Sequence, residues 1–220
     1  DLNNLPHGRG LGSSASAIIG GLILARSLVV GGVDRMNDND VLTLATEMEG
    51  HPDNVAAALH GGAVISWSGT EFADAIKLEV SPRITAVAFI PSNHVPTSKA
   101  RKMLPESIPH QDAVKNSIHT ALLTQALTIR PDLLLTATED FLHQSYREAA
   151  MPKSFALMQK LRAAGVPAFI SGAGPTVLAL LVDADIHHDD EMGDLIRAAG
   201  SGFTVENIDI SPTGYQVSNL

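Results

Sequence analysis

Pro6-His7-Gly8-Arg9-Gly10-Leu11-Gly12-Ser13-Ser14-Ala15 is the stretch on which the reading of this chain turns. Three glycines alternate with Arg9 and Leu11, and two serines then lead into an apolar run rich in small residues. Glycine has no Cβ, so successive N–H groups can turn to one side without steric conflict. A helix N-terminus adds unpaired N–H donors and partial positive charge. Together these make a cradle for phosphate. The segment is not a G-x-x-x-x-G-K-[ST] loop, and its glycine spacing is not that of a dinucleotide fingerprint. The competing reading is a plain glycine-rich turn before a closely packed helix. Loops of this kind are normally held by a preceding strand. Here only seven residues stand before Gly8 and none is Met, so the chain is expected to lack its natural front.

Working outward, Ser13-Ser14 is expected to cap a helix from Ala15 to Val29. Its Ala15, Ala17 and Gly21 predict close packing, and Gly31-Gly32 ends it. Asp40 is expected to cap a second helix with Val41, Leu44, Ala45 and Met48 at helical spacing. Gly50-His51-Pro52 stops that helix, because proline disfavours helix in the residue before it. Asp53 or Asn54 then opens a short helix through Leu59. A strand over Ala63 to Trp67 follows, with Trp67 in the core, and then an edge strand or hairpin arm over 71–80 and a hinge at Ser81-Pro82. Ile84 to Ile90 reads as a strand. Val114, Ile118, Ala121, Leu122 and Ala126 define one face of a helix ended by Pro131, and Ser154 caps another that ends at Gly165. Ala168 to Ile170 and Val177 to Val182 are strands flanking a glycine turn. A helix over Glu191 to Ala199, a strand near Phe203 to Ile208 and a final strand at Tyr215 to Val217 complete an α+β pattern.

The composition narrows the function. The 220 residues carry a formal net charge of -9, so nucleic acid and anionic membranes are poor partners. There is no Cys, which excludes disulfides and thiolate chemistry and fits a cytoplasmic protein. No apolar run is long enough to span a bilayer. His187-His188-Asp189-Asp190-Glu191 gathers metal-ligating residue types, but adjacent side chains diverge, so it reads as a solvated turn.

Pro6 to Ser14 resembles the second motif of the GHMP kinases, the galactose, homoserine, mevalonate and phosphomevalonate kinases. Ser171-Gly172-Ala173-Gly174-Pro175-Thr176 resembles their third motif. Glu49-Gly50-His51-Pro52-Asp53-Asn54-Val55-Ala56, Pro96-Thr97-Ser98-Lys99-Ala100-Arg101-Lys102-Met103-Leu104-Pro105 and Asp140-Phe141-Leu142-His143-Gln144-Ser145-Tyr146-Arg147 are similar to the homoserine kinase branch. The five motifs stand in the family's order and cover nearly the whole chain. The family's first motif has no counterpart here. The resemblance implies an incomplete N-terminal ATP-binding domain over 1–82 and a ferredoxin-like C-terminal domain over 83–220, whose last strands can return to the first domain. The nucleotide site would lie between the two. It further implies an ATP- and magnesium-dependent kinase acting on homoserine in threonine biosynthesis, and it allows a homodimer. The alternatives are another small-molecule kinase of the family or a nucleotide-binding fragment without catalysis.

The same resemblance assigns roles. Pro6, Gly8, Arg9, Gly10, Leu11, Gly12, Ser13 and Ser14 would hold the ATP phosphates. Glu49 and Ser14 would hold magnesium, with Glu47 as the second choice for the carboxylate. His51 and Asn54 would contact the substrate, with Asn54 beside the reacting hydroxyl. Asp53 reads as a general base or as a capping and positioning residue, the latter preferred because phosphoryl transfer needs charge neutralisation and alignment more than a strong base. Arg101 and Arg147 would grip the substrate carboxylate, with Thr97, Gly172 and Gly174 nearby. Asn54, Asp53 and Arg147 are thus the candidate catalytic residues.

Overall fold

The computed structural model describes residues 5–183, 193, 196, 198 and 201–218, apart from the side chains of 97 and 98. It divides into two compact units. One holds Gly12–Glu79 with the described chain ends, up to Pro6 and from Ile210. The other holds His7–Leu11 and Val80–Asp209. The glycine-rich stretch therefore contributes His7–Leu11 to one unit, and Gly12 and the serines to the other.

In the first unit α1 (Ser13–Ser27) packs on α3 (Asp38–Glu49) and α4 (Asp53–His60), with a short α2 (Gly32–Arg35) between α1 and α3. Strands β1 (Ala63–Ser68) and β2 (Ala73–Leu78) form an antiparallel hairpin in which Ile65 pairs with Ile76. Ala15, Ile19 and Ile23 supply one stripe of α1 to a core shared with Val41, Leu42 and Ala45 of α3 and Val55, Ala56 and Leu59 of α4. Four-residue spacing puts that stripe on a single helical face. Arg26 extends the stripe as a buried cation. It is held by Asp38 Oδ1 at 2.7 Å, by the Tyr215 hydroxyl at 2.6 Å and by the Met36 carbonyl at 3.2 Å.

The second unit is a four-stranded antiparallel sheet. Its strands are β3 (Ile84–Pro91), β4 (Ala168–Ile170), β5 (Val177–Val182) and β6 (Phe203–Ile208), in the spatial order β4-β5-β3-β6. Counted from β3, that is the 4-1-3-2 order of the ferredoxin-like split βαβ arrangement expected from the sequence. Between β3 and β4 run α5 (Thr97–Arg101), α6 (His110–Thr128), α7 (Leu134–Ala137) and α8 (Pro152–Ala163). Leu157, Met158 and Leu161 of α8 cover Val87, Phe89, Ile170, Val177 and Ala179 of the sheet. The central strand β3 is buried along nearly its whole length, which explains its apolar run from Ala86 to Ile90, with the exposed Thr85 before it. The edge strand β4 is closed by side chains. Gln144 Oε1 accepts the Ile170 N–H at 2.6 Å, and Arg162 Nη1 donates to the Ala168 carbonyl at 3.0 Å. An edge whose polar groups are already paired is a poor template for another strand.

Several local expectations are corrected. Gly12, in the left-handed region with φ 71°, precedes α1, and no side chain caps that helix. Asn37, not Asp40, caps α3, and Asp40 is its partner three residues on in a capping box. Ser154 lies inside α8, where its hydroxyl donates to the Pro175 carbonyl at 2.5 Å instead of capping. Helix α1 ends at Ser27, and Gly31 and Gly32 lie at the start of α2, as its N-cap and first residue, rather than ending α1. Ala17 and Gly21 face outward, Trp67 is 39% exposed, and Val114 and Ile118 are 45% and 54% exposed. Tyr215–Val217 is not a strand; Tyr215 packs against the helical core through its ring. The expected turn at His187 to Glu191 lies outside the described residues, as does most of the expected helix from Glu191.

Candidate active site

Within the sheet unit, the two glycine motifs interlock. Ser171 Oγ donates to the Gly10 carbonyl at 2.7 Å, and the Thr176 N–H donates to the Arg9 carbonyl at 3.2 Å. The Val95 N–H bonds the Gly8 carbonyl at 3.3 Å, and Arg9 Nη2 donates to the Ser92 carbonyl at 3.0 Å. Gly8 and Gly10 both have positive φ, 66° and 78°. At Gly10 the space is also closed: a Cβ there would lie 2.2 Å from the Ser171 carbonyl oxygen and 2.9 Å from that of Gly174. The second glycine turn is fixed in the same way. Ser171 and Thr176 pair across it at 2.9 Å, and Gly172 and Gly174 sit at φ 55° and 79°. A Cβ on Gly174 would meet Met151 Sδ at 2.5 Å. Glycine is thus required at Gly10 for conformation and for contact with backbone, and at Gly174 for conformation.

Arg147 is the prominent charge beside this turn. It is 8% exposed, and its Nη1 donates to the Gly172 carbonyl at 3.0 Å. Its Nε is buried without a partner. Among the described residues neither Arg147 nor Arg101 takes part in an ion pair. Burial lowers the Arg147 pKa, Asp140 opposes that shift, and the like charge of Arg101 adds to it. A desolvated guanidinium that no carboxylate ion-pairs is costly even with Asp140 acting on it, and an anionic ligand relieves that cost. Asp140 organises the segment ahead of Arg147. Its carboxylate accepts the backbone N–H groups of His143 at 2.8 Å and Gln144 at 2.6 Å, together with His143 Nδ1 at 3.1 Å.

Within the helical unit, Ser14 Oγ in the first turn of α1 donates to Glu49 Oε2 at 2.8 Å. Glu49 ends α3, just before Gly50 in the left-handed region with φ 89°. With no side chain capping α1, its first-turn N–H groups have no side-chain acceptor. Magnesium takes hard oxygen ligands, commonly one or two carboxylates beside phosphate oxygens. The half-buried Glu49 and the Ser14 hydroxyl fit that demand, whereas Glu47, two residues earlier on α3, is exposed. Past the Gly50 turn, His51 Nδ1 lies 2.5 Å from Asp53 Oδ1, and the same oxygen accepts the Asn54 N–H at 2.6 Å. Pro52 precedes α4, and Asp53 is its first residue.

The structure therefore brings together Gly10 with the Ser171–Thr176 turn, Arg147 with Gly172, Ser14 with Glu49, and His51 with Asp53 and Asn54. Thr97 begins α5, and its side chain lies outside the described residues. Arg101 ends α5 and is exposed. Sequence reasoning passed over Ser171 and Gln144 as supports. Ser171 had a signal, since it sits inside the matched motif. Gln144 had none, because its role depends on the unpaired edge of β4.

The signature of the GHMP kinase N-terminal domain matches residues 2–62, and that of the GHMP kinase C-terminal domain matches residues 122–202. The chain is 51% identical to the homoserine kinase of Streptomyces avermitilis over 99% of its own length and 70% of that protein. It is 56% identical to the homoserine kinase of Streptomyces coelicolor over 83% of its length and 59% of that protein. The crystal structure of homoserine kinase from Cytophaga hutchinsonii superposes with a TM-score of 0.79 at 26% identity, covering 96% of this chain and 69% of that one.

Proposed function

Since the chain belongs to the GHMP kinase family, and within it to the homoserine kinases, we propose that it transfers a phosphoryl group from ATP to the hydroxyl of L-homoserine. The product is O-phospho-L-homoserine, an intermediate of threonine biosynthesis. The observation that carries the substrate assignment is Arg147, a buried guanidinium that no carboxylate among the described residues ion-pairs, and that feels the opposite charge of Asp140 and the like charge of Arg101. A planar guanidinium can hold a carboxylate by two parallel hydrogen bonds, which suits the α-carboxylate of an amino acid.

The residues divide the work. The N–H groups around Gly8, Gly10, Gly12, Ser13 and Ser14, with Pro6 and Leu11 shaping the loop, hold the ATP phosphates, and Arg9 braces the loop through Ser92. Glu49 and Ser14 hold the magnesium ion, which neutralises phosphate charge when bound. Arg147 and Arg101 orient the substrate by its carboxylate, with Thr97, Gly172 and Gly174 alongside. His51 and Asn54 bind the rest of it, Asn54 at the hydroxyl. A loose phosphoryl-transfer transition state requires in-line alignment and charge stabilisation, so direct transfer to the hydroxyl proceeds without a phosphoenzyme. The substrate is a small molecule, and the enzyme is proposed to be a cytoplasmic homodimer, a state that light scattering can test. No helix among the described residues is long and apolar enough to cross a membrane.

A substrate panel tests the reading. With ATP and magnesium, ADP release should be fast with L-homoserine and weak with mevalonate and galactose. Preference for either of the latter moves the chain to another branch of the family. No alcohol-dependent ADP release with any of them leaves a nucleotide-binding module.

A further inference from the structure

We propose that Gln144 is a positioning residue: its side chain staples the turn that carries Arg147 to the edge of β4, and so aims the guanidinium at the anion it binds. The proposal deepens the homoserine kinase reading and rests on it for the identity of that anion, the substrate carboxylate. Every contact it uses lies within the sheet unit. Gln144 stands at the N-cap of a short 3₁₀ helix, Ser145–Ala150, and the Arg147 N–H donates to its carbonyl at 3.1 Å. A 3₁₀ turn holds three residues, so side chains three apart leave it on the same side. Both then meet one piece of chain. Gln144 Oε1 accepts the Ile170 N–H at 2.6 Å, and Arg147 Nη1 donates to the Gly172 carbonyl at 3.0 Å. Behind them the Gln144 N–H donates to Asp140 Oδ2 at 2.6 Å. The backbone N–H, the carbonyl and the side-chain oxygen of Gln144 are thus all spent on holding this one turn.

The staple decides which part of Arg147 is free. An arginine side chain is long and rich in rotamers, so one hydrogen bond from Nη1 does not fix it. With its backbone locked by Gln144, the Nη1 bond to Gly172 leaves the other edge, Nε with Nη2, unspent. Nε is buried without a partner, and Nη2 makes no hydrogen bond among the described residues. Nε–H and Nη2–H point the same way and can hold the two oxygens of one carboxylate in parallel. Closing the strand edge does not by itself aim an arginine. Arg162 closes the same edge at Ala168, but its other hydrogen bonds go to Thr138 and Leu135, away from the turn.

The decisive experiment is a double-mutant cycle on kcat/KM for L-homoserine with Gln144→Met and Arg147→Ala. Gln144→Met keeps the apolar stem and removes the acceptor. It should raise KM for homoserine about five- to thirtyfold, with kcat and KM for ATP within about twofold of wild type. Gln144→Asn, one methylene too short to reach Ile170, should do the same. In the Arg147→Ala background Gln144→Met should change kcat/KM by less than about twofold, because no guanidinium is left to aim. Arg162→Met opens the same strand edge and should lower Tm without moving KM for homoserine. A second readout needs no turnover: the Arg147 Nε–H signal in 1H–15N spectra, assigned by its loss in Arg147→Lys. It should be sharp and slow to exchange in the wild type and broadened in Gln144→Met.

An undiminished effect of Gln144→Met in the Arg147→Ala background would overturn the proposal. So would equal losses for homoserine and ATP, or a KM rise of the same size in Arg162→Met. If the wild-type protein does not phosphorylate homoserine, the functional reading falls and the spectra alone decide. Broadening in Gln144→Met then upholds the positioning role, and an unchanged Arg147 signal overturns it.

Discussion

The interlocking of the two glycine turns can be tested with a matched pair of substitutions, Gly10→Ala and Gly12→Ala. Both glycines lie in the left-handed region, at φ 78° and 71°, so both variants carry the same backbone penalty, about 1–2 kcal/mol for an L-residue there. They differ in the space a methyl group would enter. At Gly12 it meets nothing within 4 Å. At Gly10 it would sit 2.2 Å from the Ser171 carbonyl oxygen, where ordinary contact begins at 3.4 Å, so the backbone must yield by 3.4 − 2.2 = 1.2 Å. Gly174 blocks relief on another side, with its O and N at 2.9 and 3.0 Å. Separating the turns costs the Ser171–Gly10 hydrogen bond, and the forced packing adds about 1–3 kcal/mol. Gly12→Ala should therefore lower Tm by roughly 2–8 °C, and Gly10→Ala by about two and a half to three times as much. Thermal unfolding measures the difference, and titration with a fluorescent ATP analogue should show the larger affinity loss in Gly10→Ala. If the two variants melt and bind alike, the turns do not interlock as described.

Replacing Arg147 with Ala should lower kcat/KM for homoserine by a factor corresponding to about 2–5 kcal/mol, with Lys rescuing only in part and ATP affinity little changed. Equal loss of ATP binding would place the guanidinium with the nucleotide or with the fold. Glu49→Gln and Ser14→Ala should each raise the magnesium concentration needed for half-maximal activity, the former more. Ser14→Ala should hardly change Tm, because Ser14 does not cap α1. Asp140 offers a pH test. Burial alone would raise its pKa, but hydrogen bonds from the His143 ring and from the Gln144 and His143 N–H groups hold it at about 2, below the ordinary 3.8. A depressed carboxylate stabilises the fold at pH above its unfolded value and loses that contribution as pH falls through the folded value. The Tm difference between wild type and Asp140→Asn should therefore be constant above about pH 4 and shrink as pH falls toward 2.

Much of this was legible in the sequence, because glycine spacing, proline stops and apolar runs are local signals. The strands Ala168–Ile170 and Val177–Val182 were placed from apolar runs between turn residues. Helix starts were less legible. Ser13-Ser14, Asp40 and Ser154 all have capping chemistry, but each hydroxyl or carboxylate found a competing role. Ser14 bonds Glu49, Asp40 completes a capping box begun by Asn37, and Ser154 bonds the Pro175 carbonyl. Helical periodicity on α6 marked Val114 and Ile118 as a core face, yet both are exposed, since periodicity identifies an apolar stripe without identifying what covers it. The burial of Arg26 between Asp38 and Tyr215 could not be read from sequence, because its partners are 12 and 189 residues away. At the candidate site the residue types were legible. The Ser14–Glu49 and His51–Asp53 pairings required coordinates.

The central claim is phosphoryl transfer to the homoserine hydroxyl, and 31P NMR of a single reaction mixture tests it most directly. With the purified protein, ATP, magnesium and L-homoserine, the γ-phosphate signal should disappear as a new phosphomonoester signal grows in step with ADP, and none should form without homoserine. Release of inorganic phosphate in place of the phosphomonoester, or ATP that stays intact in the presence of homoserine, would contradict it.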